Sequence, residues 1–395
     1  MRFQKMFKLF LLLVLVLGVS QPVFAGSGDS GAAVLGADSP NAIAGRYIVV
    51  FKESASSRAV ENTKAGALSA AGAKLHYTYE AALKGFAADL PEAALNGLRR
   101  NPNVAYIEVD QVMTIDATQS PATWGLDRID QRDLPLSNSY TYNFTGAGVT
   151  AYIIDTGLRF SHSEFSGRAS FGFDAFGGTG ADCNGHGTHV GGTVGGSTYG
   201  VAKGVTLKAV RVLDCSGSGT TTGVIAGVDW VTADHNIYKS PAVANMSLGG
   251  GASTALDTAV RNSIASGVTY ALAAGNNNRD ACKFSPARVA EGITVGATTS
   301  TDYRASYSNY GACLDLFAPG SSITSSWYTS DTATATISGT SMATPHVAGV
   351  AALYLEGHTA TPLQVRDAIV AASTLGKVIN EGRNSPDRLL FSLIP

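Results

Sequence analysis

The sequence is poor in cysteine, in excess charge and in long apolar runs. It has four cysteines, no Cys-x-x-Cys pair and no His-rich ligand spacing, which argues against a zinc site. Its formal net charge is −2, so it lacks the basic excess that binds nucleic acid or anionic membranes. After residue 25 no apolar run reaches membrane-spanning length. We therefore expect no nucleic-acid partner and no membrane span.

The one marked apolar run lies at the N-terminus. Three basic residues precede the apolar residues 9–19, and Val23-Phe24-Ala25 supplies the small residues at which signal peptides are cut. A membrane anchor is the alternative, but the run is short for spanning. We predict that residues 1–25 are a signal peptide and that the protein is secreted and extracellular.

The four cysteines all lie in the C-terminal two-thirds of the chain: Cys183, Cys215, Cys282 and Cys313. An even number in an exported chain predicts two disulfides. The sequence alone leaves three pairings open.

The 395 residues suffice for two domains. Residues 26 to about 45 have the composition of a flexible leader. The next stretch predicts a β-α-β-β-α-β order, a small split βαβ fold. Its strands are predicted at residues 47–51, 77–79, 85–90 and 104–109, and its helices at residues 60–73 and 91–100.

From Trp124 onward, apolar strands alternate with helices. This pattern predicts an α/β fold with a doubly wound, mostly parallel sheet that is covered on both faces. Active sites of such sheets lie at the carboxyl ends of the strands. The strands are predicted at residues 149–154, 205–212, 243–248, 268–273 and 293–295, and the helices at residues 186–195, 221–235, 254–266 and 341–356.

The stretch Gly339-Thr340-Ser341-Met342-Ala343-Thr344-Pro345-His346 places a serine where a helix begins. The N–H groups of a helix N-terminus favour developing negative charge, which suits a nucleophilic Ser341. We expect Pro345 in the first turn, where a missing N–H costs little. The alternative is that Ser341 is only an N-cap.

Three further side chains lie at predicted strand ends or helix starts. Asp155 ends the first strand of the α/β pattern, where we expect a partly solvated carboxylate that can orient an imidazole. His186 lies between two glycines and suits proton transfer near neutral pH. Asn276 follows the fourth strand and has an amide that can donate to an oxyanion. Taken singly, each is explained as well by an ordinary turn.

Taken together, these segments resemble the signature blocks of the subtilisin-like serine proteases. The chain order Asp…His…Ser is that of subtilisin. The likeness extends from Ala117 to about Pro395 and includes Trp124-Gly125-Leu126-Asp127-Arg128-Ile129-Asp130-Gln131-Arg132. Within the family the chain is similar to the proteinase K branch, and most to its aqualysin-type members. The preceding domain is similar to the family's inhibitory propeptides.

The resemblance implies a serine endopeptidase. Ser341 attacks the scissile carbonyl, His186 transfers the proton, and Asp155 holds the imidazole tautomer. Asn276 and the Ser341 N–H stabilise the oxyanion. The order excludes an α/β-hydrolase esterase, which needs its acid and its histidine after the serine. An inactive binding homologue is disfavoured because the triad is intact.

The resemblance also implies how substrate is bound. Two segments match the strands that pair with extended peptide backbone, which predicts broad specificity with an apolar preference at P1 and P4. Without the resemblance, both would be taken as surface turns. The segments comprise Gly217, Ser218 and Gly219 on one side and Ser247, Leu248, Gly249 and Gly250 on the other.

Calcium is the implied structural ion. One site matches Asp315 with the carbonyls of Ala290 and Gly292. Ser137 and Ser139 replace stronger ligands in the second site, so we expect weaker binding there; an Asp-rich solvated turn is the alternative. The residues matching the second site are Asp127, Asp130, Gln131, Ser137 and Ser139.

The relatives imply the pairs Cys183–Cys215 and Cys282–Cys313. They also imply a propeptide over residues 26–116, with an inhibitor domain at about 46–112, and a catalytic domain over 117–395. The propeptide is expected to act as an intramolecular inhibitor until the zymogen cleaves itself between Asp116 and Ala117. Asp116 fits an apolar pocket poorly, so the cut could lie a few residues away. We expect a monomer that acts on protein and peptide substrates.

Overall fold

The computed structural model describes residues 31–37, 42–81, 83–111 and 117–394. The chain divides into two compact units, Met1–Met113 and Thr114–Pro395. The predicted signal peptide and Asp116 at the predicted junction lie outside the described residues. Within the described residues, no helix has both the length and the apolar character needed to cross a bilayer.

The described residues of the first unit form a five-stranded sheet with two helices, and the strands lie in the order β1-β5-β2-β4-β3. Its elements are β1 (Val34–Leu35), β2 (Ala42–Phe51), α1 (Ser57–Leu68), β3 (Lys74–Tyr79), β4 (Gly85–Asp89), α2 (Glu92–Arg99) and β5 (Val104–Gln111). The predicted β-α-β-β-α-β order is present. The short β1, which pairs in parallel with β5, precedes it and was not predicted.

The core of the first unit lies between the sheet and the two helices. Val49, Phe86 and Ile107 from its three central strands are fully buried. Helix α1 begins earlier than predicted because the Ser56 side chain accepts a hydrogen bond from Ala59 N and caps it.

The second unit contains fifteen strands, six α-helices and two short 3-10 helices among its described residues. The α-helices are α3 (Trp124–Ile129), α4 (His186–Gly195), α5 (Thr221–Tyr238), α6 (Thr254–Ser266), α7 (Thr340–Gly357) and α8 (Pro362–Ala372). The strands are β6 (Ala117–Gln119), β7 (Tyr140–Tyr142), β8 (Thr150–Asp155), β9 (Ala169–Asp174), β10 (Thr206–Arg211), β11 (Ala242–Met246), β12 (Gly250–Gly251), β13 (Val268–Ala273), β14 (Phe284–Ser285), β15 (Ile293–Thr298), β16 (Leu316–Pro319), β17 (Ile323–Ser326), β18 (Thr334–Ile337), β19 (Thr374–Leu375) and β20 (Arg388–Leu389).

Nine of these strands form one sheet in the order β19-β20-β16-β15-β13-β11-β8-β10-β9. All neighbours pair in parallel except β19 and β20. Every residue of the central strands β11, β13 and β15 is buried, because helices cover both faces. The predicted doubly wound, mostly parallel α/β fold is confirmed.

Two apolar cores sandwich this sheet. On one face, Val190 of α4 and Val347 of α7 pack into the larger core. On the other, Val228 of α5 and Val260 of α6 pack against the opposite side chains of the same strands. The sheet therefore brings the end of β8 and the first turns of α4 and α7 to fixed positions.

The expectation that Pro345 lies in the first turn of its helix is wrong. Helix α7 begins at Thr340, so Pro345 lies in its second turn, inside the helix. Proline has no N–H, and the Ser341 carbonyl therefore lacks its i+4 partner within the helix.

Candidate active site

Asp155 and His186 are hydrogen-bonded at the carboxyl end of β8. His186 Nδ1 lies 2.8 Å from Asp155 Oδ1 and 2.9 Å from Oδ2. The expectation of a partly solvated carboxylate is wrong, because Asp155 is fully buried and hydrogen bonds replace water, including one from Thr156 N at 2.7 Å. An ionised carboxylate only accepts, so Nδ1 carries the proton and Nε2 is the free base.

Two opposing influences act on the His186 imidazole. Burial disfavours its charged form, but the charge and hydrogen bond of Asp155 and the charge of Asp182 outweigh burial. The pKa of His186 therefore lies above its ordinary value. The side chain keeps a quarter of its surface exposed, so its free nitrogen can meet a ligand.

The glycines that flank His186 make room for the protein itself. Gly185 caps α4 with a φ of 113°, and a Cβ there would lie 2.5 Å from the Trp327 ring. A Cβ on Gly187 would overlap the Gly157 carbonyl oxygen. Close backbone packing therefore fixes the start of the helix that carries His186.

Ser341 is the second residue of α7. Its Oγ donates to the Ser247 carbonyl at 3.1 Å, and Ser247 Oγ donates in return to the Ser341 carbonyl at 2.8 Å. In the part of the chain that the structure describes, no hydrogen bond joins Ser341 Oγ to the His186 ring. Such bonds are often long or absent in free enzymes and form in the substrate complex.

Asn276 and the Ser341 N–H face a common space. Asn276 Oδ1 accepts from Thr340 N at 2.8 Å and from Thr340 Oγ1 at 3.0 Å, which directs its Nδ2 away from Thr340. A Cβ on Gly339 would lie 3.5 Å from Ser341 N and 3.6 Å from Asn276 Nδ2. The missing side chain of Gly339 leaves a small volume that both donors border.

Two adjoining cavities meet at these residues. The larger, of about 510 Å³, is lined by His186 and by all seven residues predicted to bind substrate: Gly217, Ser218, Gly219, Ser247, Leu248, Gly249 and Gly250. The smaller, of about 310 Å³, is lined by Leu248, Gly249, Gly250, Asn276 and Ser341 among others. The residues Gly217, Ser218 and Gly219 form a loop without a strand partner.

The structure contains the disulfides Cys183–Cys215 and Cys282–Cys313. The first joins the segment just before His186 to the segment just before Gly217, and Asn184 Nδ2 adds a hydrogen bond to the Cys215 carbonyl at 3.1 Å. Both bridges lie within the second unit. The sequence has no cysteine before residue 183.

Sequence reasoning missed two residues beside the Asp155–His186 pair. Asp182 and Thr156 are joined by a hydrogen bond of 2.9 Å, and each binds backbone N–H groups near His186. The available signal was Asp182 itself, an acidic residue four positions before the histidine.

Four of the five residues of the second predicted calcium site are connected by hydrogen bonds. Ser137 Oγ donates to Asp127 Oδ1 at 3.0 Å and lies 2.8 Å from Ser139 Oγ. Ser137 N donates to Gln131 Oε1 at 3.2 Å. Asp130 Oδ1 is buried and has no hydrogen-bond partner. A buried carboxylate oxygen without a partner, beside other hard oxygens, fits a calcium ion.

Burial raises the pKa of Asp130 to about 6; a hydrogen bond from Thr141 N opposes the shift and the charge of Asp127 adds to it. A divalent cation would reverse that effect by stabilising the ionised form. Across the described residues, no group of three or more Asp, Glu, His or Cys side chains is arranged to hold a metal. The site has two carboxylates and would rely on neutral oxygens for the rest.

The first predicted calcium site fits less well. Asp315 Oδ1 accepts from Arg366 Nη2 at 2.6 Å, and Oδ2 accepts from Thr294 N at 2.8 Å. The arginine already neutralises the only carboxylate of this site. A calcium ion bound there with the carbonyls of Ala290 and Gly292 would compete with that guanidinium for the carboxylate.

Comparison with known proteins agrees with this geometry. Residues 146–389 match the subtilase family, and residues 46–116 match the peptidase inhibitor I9 family. An extracellular serine proteinase from Thermus sp. (strain Rt41A) is 60% identical over 96% of this chain and 97% of that protein. Alkaline serine exoprotease A from Vibrio alginolyticus is 54% identical over 89% of this chain and 68% of that protein.

A solved structure gives the same result. The crystal structure of a cold adapted subtilisin-like serine proteinase is 59% identical, covers 70% of this chain and all of that chain, and superposes with a TM-score of 0.67. Matches of this extent and identity establish the family, the peptidase activity and the inhibitory propeptide together. This chain belongs to the subtilase family and is a serine endopeptidase with an N-terminal inhibitor I9 propeptide.

Proposed function

We propose that Ser341, His186 and Asp155 are the catalytic triad of a secreted, broadly specific endopeptidase that matures by cutting its own precursor. The observation that carries this proposal is the buried Asp155–His186 pair. It lies beside a groove whose adjoining cavity contains a serine at a helix start. This arrangement supplies a base with a fixed tautomer and a nucleophile in reach of substrate.

In this mechanism a bound substrate shifts Ser341 Oγ from the Ser247 carbonyl toward His186 Nε2. Oγ attacks the scissile carbonyl as Nε2 takes its proton. The tetrahedral intermediate then collapses, the C–N bond breaks, and His186 returns the proton to the leaving amine. Water, deprotonated by His186, hydrolyses the acyl-enzyme ester and regenerates Ser341.

Asn276 Nδ2 and Ser341 N–H are proposed to stabilise the oxyanion. Both are held before substrate arrives, Asn276 by Thr340 and the Ser341 N–H by the first turn of α7. Donors already in place need no reorganisation as charge develops. Loss of one such donor typically lowers kcat by about 10²–10³-fold.

The two cavities support broad specificity with an apolar preference. Gly217–Gly219 and Ser247–Gly250 expose backbone that can pair with an extended peptide, and such pairing reads no side chain. The smaller cavity is lined by Ala273, Ala274 and Gly275 and by no charged side chain, which favours an apolar P1 residue. Leu213, Val224 and Leu256 line the larger cavity and suit an apolar P4 residue.

The family matches over residues 46–116 and 146–389 support the proposed division into propeptide and catalytic domain. Residues 1–25 serve as the signal peptide, residues 26–116 as the propeptide with its inhibitor domain at about 46–112, and residues 117–395 as the catalytic domain. The junction lies between Asp116 and Ala117, where the match to the inhibitor family ends. The extracellular name of the Thermus relative supports secretion, and we propose that the enzyme acts as a monomer.

Calcium is proposed as a structural ion at the site of Asp127, Asp130, Gln131, Ser137 and Ser139. When bound, it would supply positive charge to the two carboxylates and tie their segments together. The buried, unpartnered Asp130 Oδ1 supports this site. Calcium bound at Asp315, Ala290 and Gly292 would compete with Arg366 for the Asp315 carboxylate.

Mass spectrometry of the precursor tests the central proposal. Wild type and Ser341→Ala are each incubated with calcium. We expect the wild type to release a fragment ending near Asp116 while the variant stays whole. If both are cut alike, another protease performs the maturation; if neither is cut, the triad or autonomous activation is wrong.

Peptide-library cleavage tests the specificity. We expect apolar residues to be enriched at P1 and P4 and little selection elsewhere. Enrichment of charged P1 residues would contradict the proposal that the smaller cavity binds an apolar P1 side chain.

A further inference from the structure

The carboxylate of Asp182 connects separate parts of the active site. Its Oδ1 accepts hydrogen bonds from Thr156 Oγ1, Asn184 N and Gly185 N, each at 2.9 Å. Its Oδ2 accepts from Thr188 N at 2.9 Å and Thr188 Oγ1 at 2.6 Å. Five donors on one carboxylate leave it little freedom to move.

The Thr156 hydroxyl continues this network toward the catalytic pair. Thr156 directly follows Asp155, and its Oγ1 accepts from Gly187 N at 2.8 Å. Gly187 directly follows His186. The turn after Asp155 and the first turn of α4 are therefore joined both directly and through Asp182.

Asp182 also replaces a missing helix cap. Gly185 is the N-cap of α4 and has no side chain to accept from the helix. The carboxylate of Asp182 accepts from Gly185 N and from Thr188 N, the position that an N-cap side chain normally serves. Its negative charge lies at the positive end of the helix that carries His186.

The charged and titratable groups around His186 come from several elements. Asp155 ends β8, Asp182 precedes α4, and both favour the charged imidazole. His189 lies on the same helix and interacts with His186. The Arg211 guanidinium lies 3.3 Å from Cys183 Sγ, beside Asp182, but pairs with Asp174. Asp182 is thus the second carboxylate that acts on the imidazole.

We propose that Asp182 is a positioning residue, which holds the helix that bears His186 against the turn that bears Asp155 and directs a second negative charge at the imidazole. The inference rests on the proposed roles of Asp155 and His186. Asp182 acts through its partners and has no direct contact with the reacting atoms in this scheme.

The variant Asp182→Asn keeps the side-chain shape but removes the charge and one acceptor oxygen. We expect kcat to fall by up to about 10²-fold, as for other small displacements of catalytic groups. KM should change little. The acid limb of the pH profile, where kcat/KM falls as His186 becomes protonated, should move to lower pH by several tenths of a unit. The reason is that the variant loses a negative charge that raises the pKa of His186 by favouring its protonated, inactive form.

Two Thr156 variants separate geometry from charge. Thr156→Val removes the hydroxyl but keeps the Asp182 carboxylate beside His186, so kcat should fall while the acid limb stays in place. Thr156→Ser restores the hydroxyl and should recover kcat. These two variants test whether the network positions His186 even if the Asp182→Asn precursor is not processed to active enzyme.

Asp174→Asn is the matched control. Asp174 is a buried carboxylate that, like the partly buried Asp182, accepts from backbone N–H groups, here at Phe176 and Gly180. Among the described residues it has no hydrogen bond to the His186 segment. This variant should lower the Tm without moving the acid limb.

All variants are expressed as the full chain, and active enzyme is counted by fluorophosphonate labelling of Ser341. Unchanged kcat and an unchanged acid limb in Asp182→Asn overturn the proposal, as does an equal shift in Asp174→Asn. Equal kcat in Thr156→Val and wild type overturns the positioning role. Failure of wild type to label at Ser341 instead contradicts the proposed triad, so the two failures are distinguishable.

Discussion

Ser247 supplies the hydrogen bond that Pro345 withholds from Ser341. The Ser341 carbonyl has no N–H four residues ahead, because residue 345 is proline, and Ser247 Oγ donates to it at 2.8 Å. Ser247 Oγ itself accepts from Asn245 Nδ2 at 2.9 Å. Hydrogen bonds through the Asn245 and Ser247 side chains therefore connect the start of α7 to β11 at the point where the helix lacks a backbone hydrogen bond.

Ser247→Ala should lower the free energy of unfolding by about 1–2 kcal/mol, since it leaves a partly buried carbonyl without a donor. It should also lower kcat, because the first turn of α7 carries Ser341, the proposed nucleophile. Denaturant unfolding and steady-state kinetics measure the two effects. Adding Pro345→Ala to Ser247→Ala restores an N–H at position 345 and should recover part of both losses; no recovery would contradict this account.

Gly339→Ala should impair the proposed oxyanion site. A methyl group there would lie 3.5 Å from Ser341 N and 3.6 Å from Asn276 Nδ2, in the volume the oxyanion needs. We expect a lower kcat in protein that still unfolds cooperatively on heating, because the methyl obstructs the donors and leaves the fold intact. In a double-mutant cycle with Asn276→Ala, which alone should cost about 10²–10³-fold, the second substitution should add little. Full additivity would place the methyl outside the oxyanion site.

Removal of either disulfide should cost a similar free energy of unfolding, but the two removals should affect kcat and KM differently. They close loops of nearly equal length, with separations of 32 and 31 residues. By loop entropy each should contribute about 4 kcal/mol. Cys183→Ser/Cys215→Ser should mainly lower kcat, since that bridge lies next to His186.

Cys282→Ser/Cys313→Ser should mainly raise KM. Cys282 precedes β14, which pairs with Gly250–Gly251 at the substrate groove. Thermal unfolding and steady-state kinetics of both double variants measure these effects. If both double variants change kcat and KM in the same proportion, the proposed difference between the two bridges is wrong.

Calcium should stabilise the protein in a pH-dependent manner through Asp130. Burial raises the pKa of Asp130 to about 6, whereas an unfolded aspartate titrates near 3.9. Without calcium, the contribution of Asp130 to stability is full below about pH 4 and is lost as the pH rises through about 6. Calcium needs the ionised form, so its stabilising effect should grow over the same range.

Calorimetric Tm values in calcium and in chelator, below about pH 5 and above about pH 7, measure this effect. Calcium at a hundredfold excess over its Kd should add about 2.7 kcal/mol. Asp130→Asn should lose most of that gain, while Asp315→Asn should retain it. The reverse pattern would place calcium at the Asp315 site instead.

Local sequence patterns predicted helices and strands well where an apolar run is bounded by residues that typically cap or end such an element. Helix α6 was predicted residue for residue, because Ser253 caps it and Gly267 follows it. Helix α8 was overlooked although Thr361 and Gln364 form a capping box that the sequence displays. The edge strand β9 is half exposed and contains a glycine, so it has no clear strand pattern.

The site was predicted less completely, because the residues that support the proposed catalytic side chains come from segments far apart in the sequence. Asp182 acquires a role only when Thr156, 26 positions earlier, folds against it. Ser247 and Ser341 are 94 positions apart, and nothing local indicates that one completes the helix of the other. The segments around Asp155, His186 and Ser341 were found from their family likeness, whereas the network that supports them requires coordinates.

Because both disulfides lie on the catalytic side of the proposed junction, a single peptide bond would be the only covalent link between inhibitor and enzyme there. While that bond is intact, the inhibitor faces its target at an effective concentration set by the connecting residues, independent of how dilute the protein is. Once it is cut, occupancy follows mass action, and dilution alone promotes release. A precursor that cleaves itself at high concentration near its producer would thus remain restrained there and become active as it diffuses away.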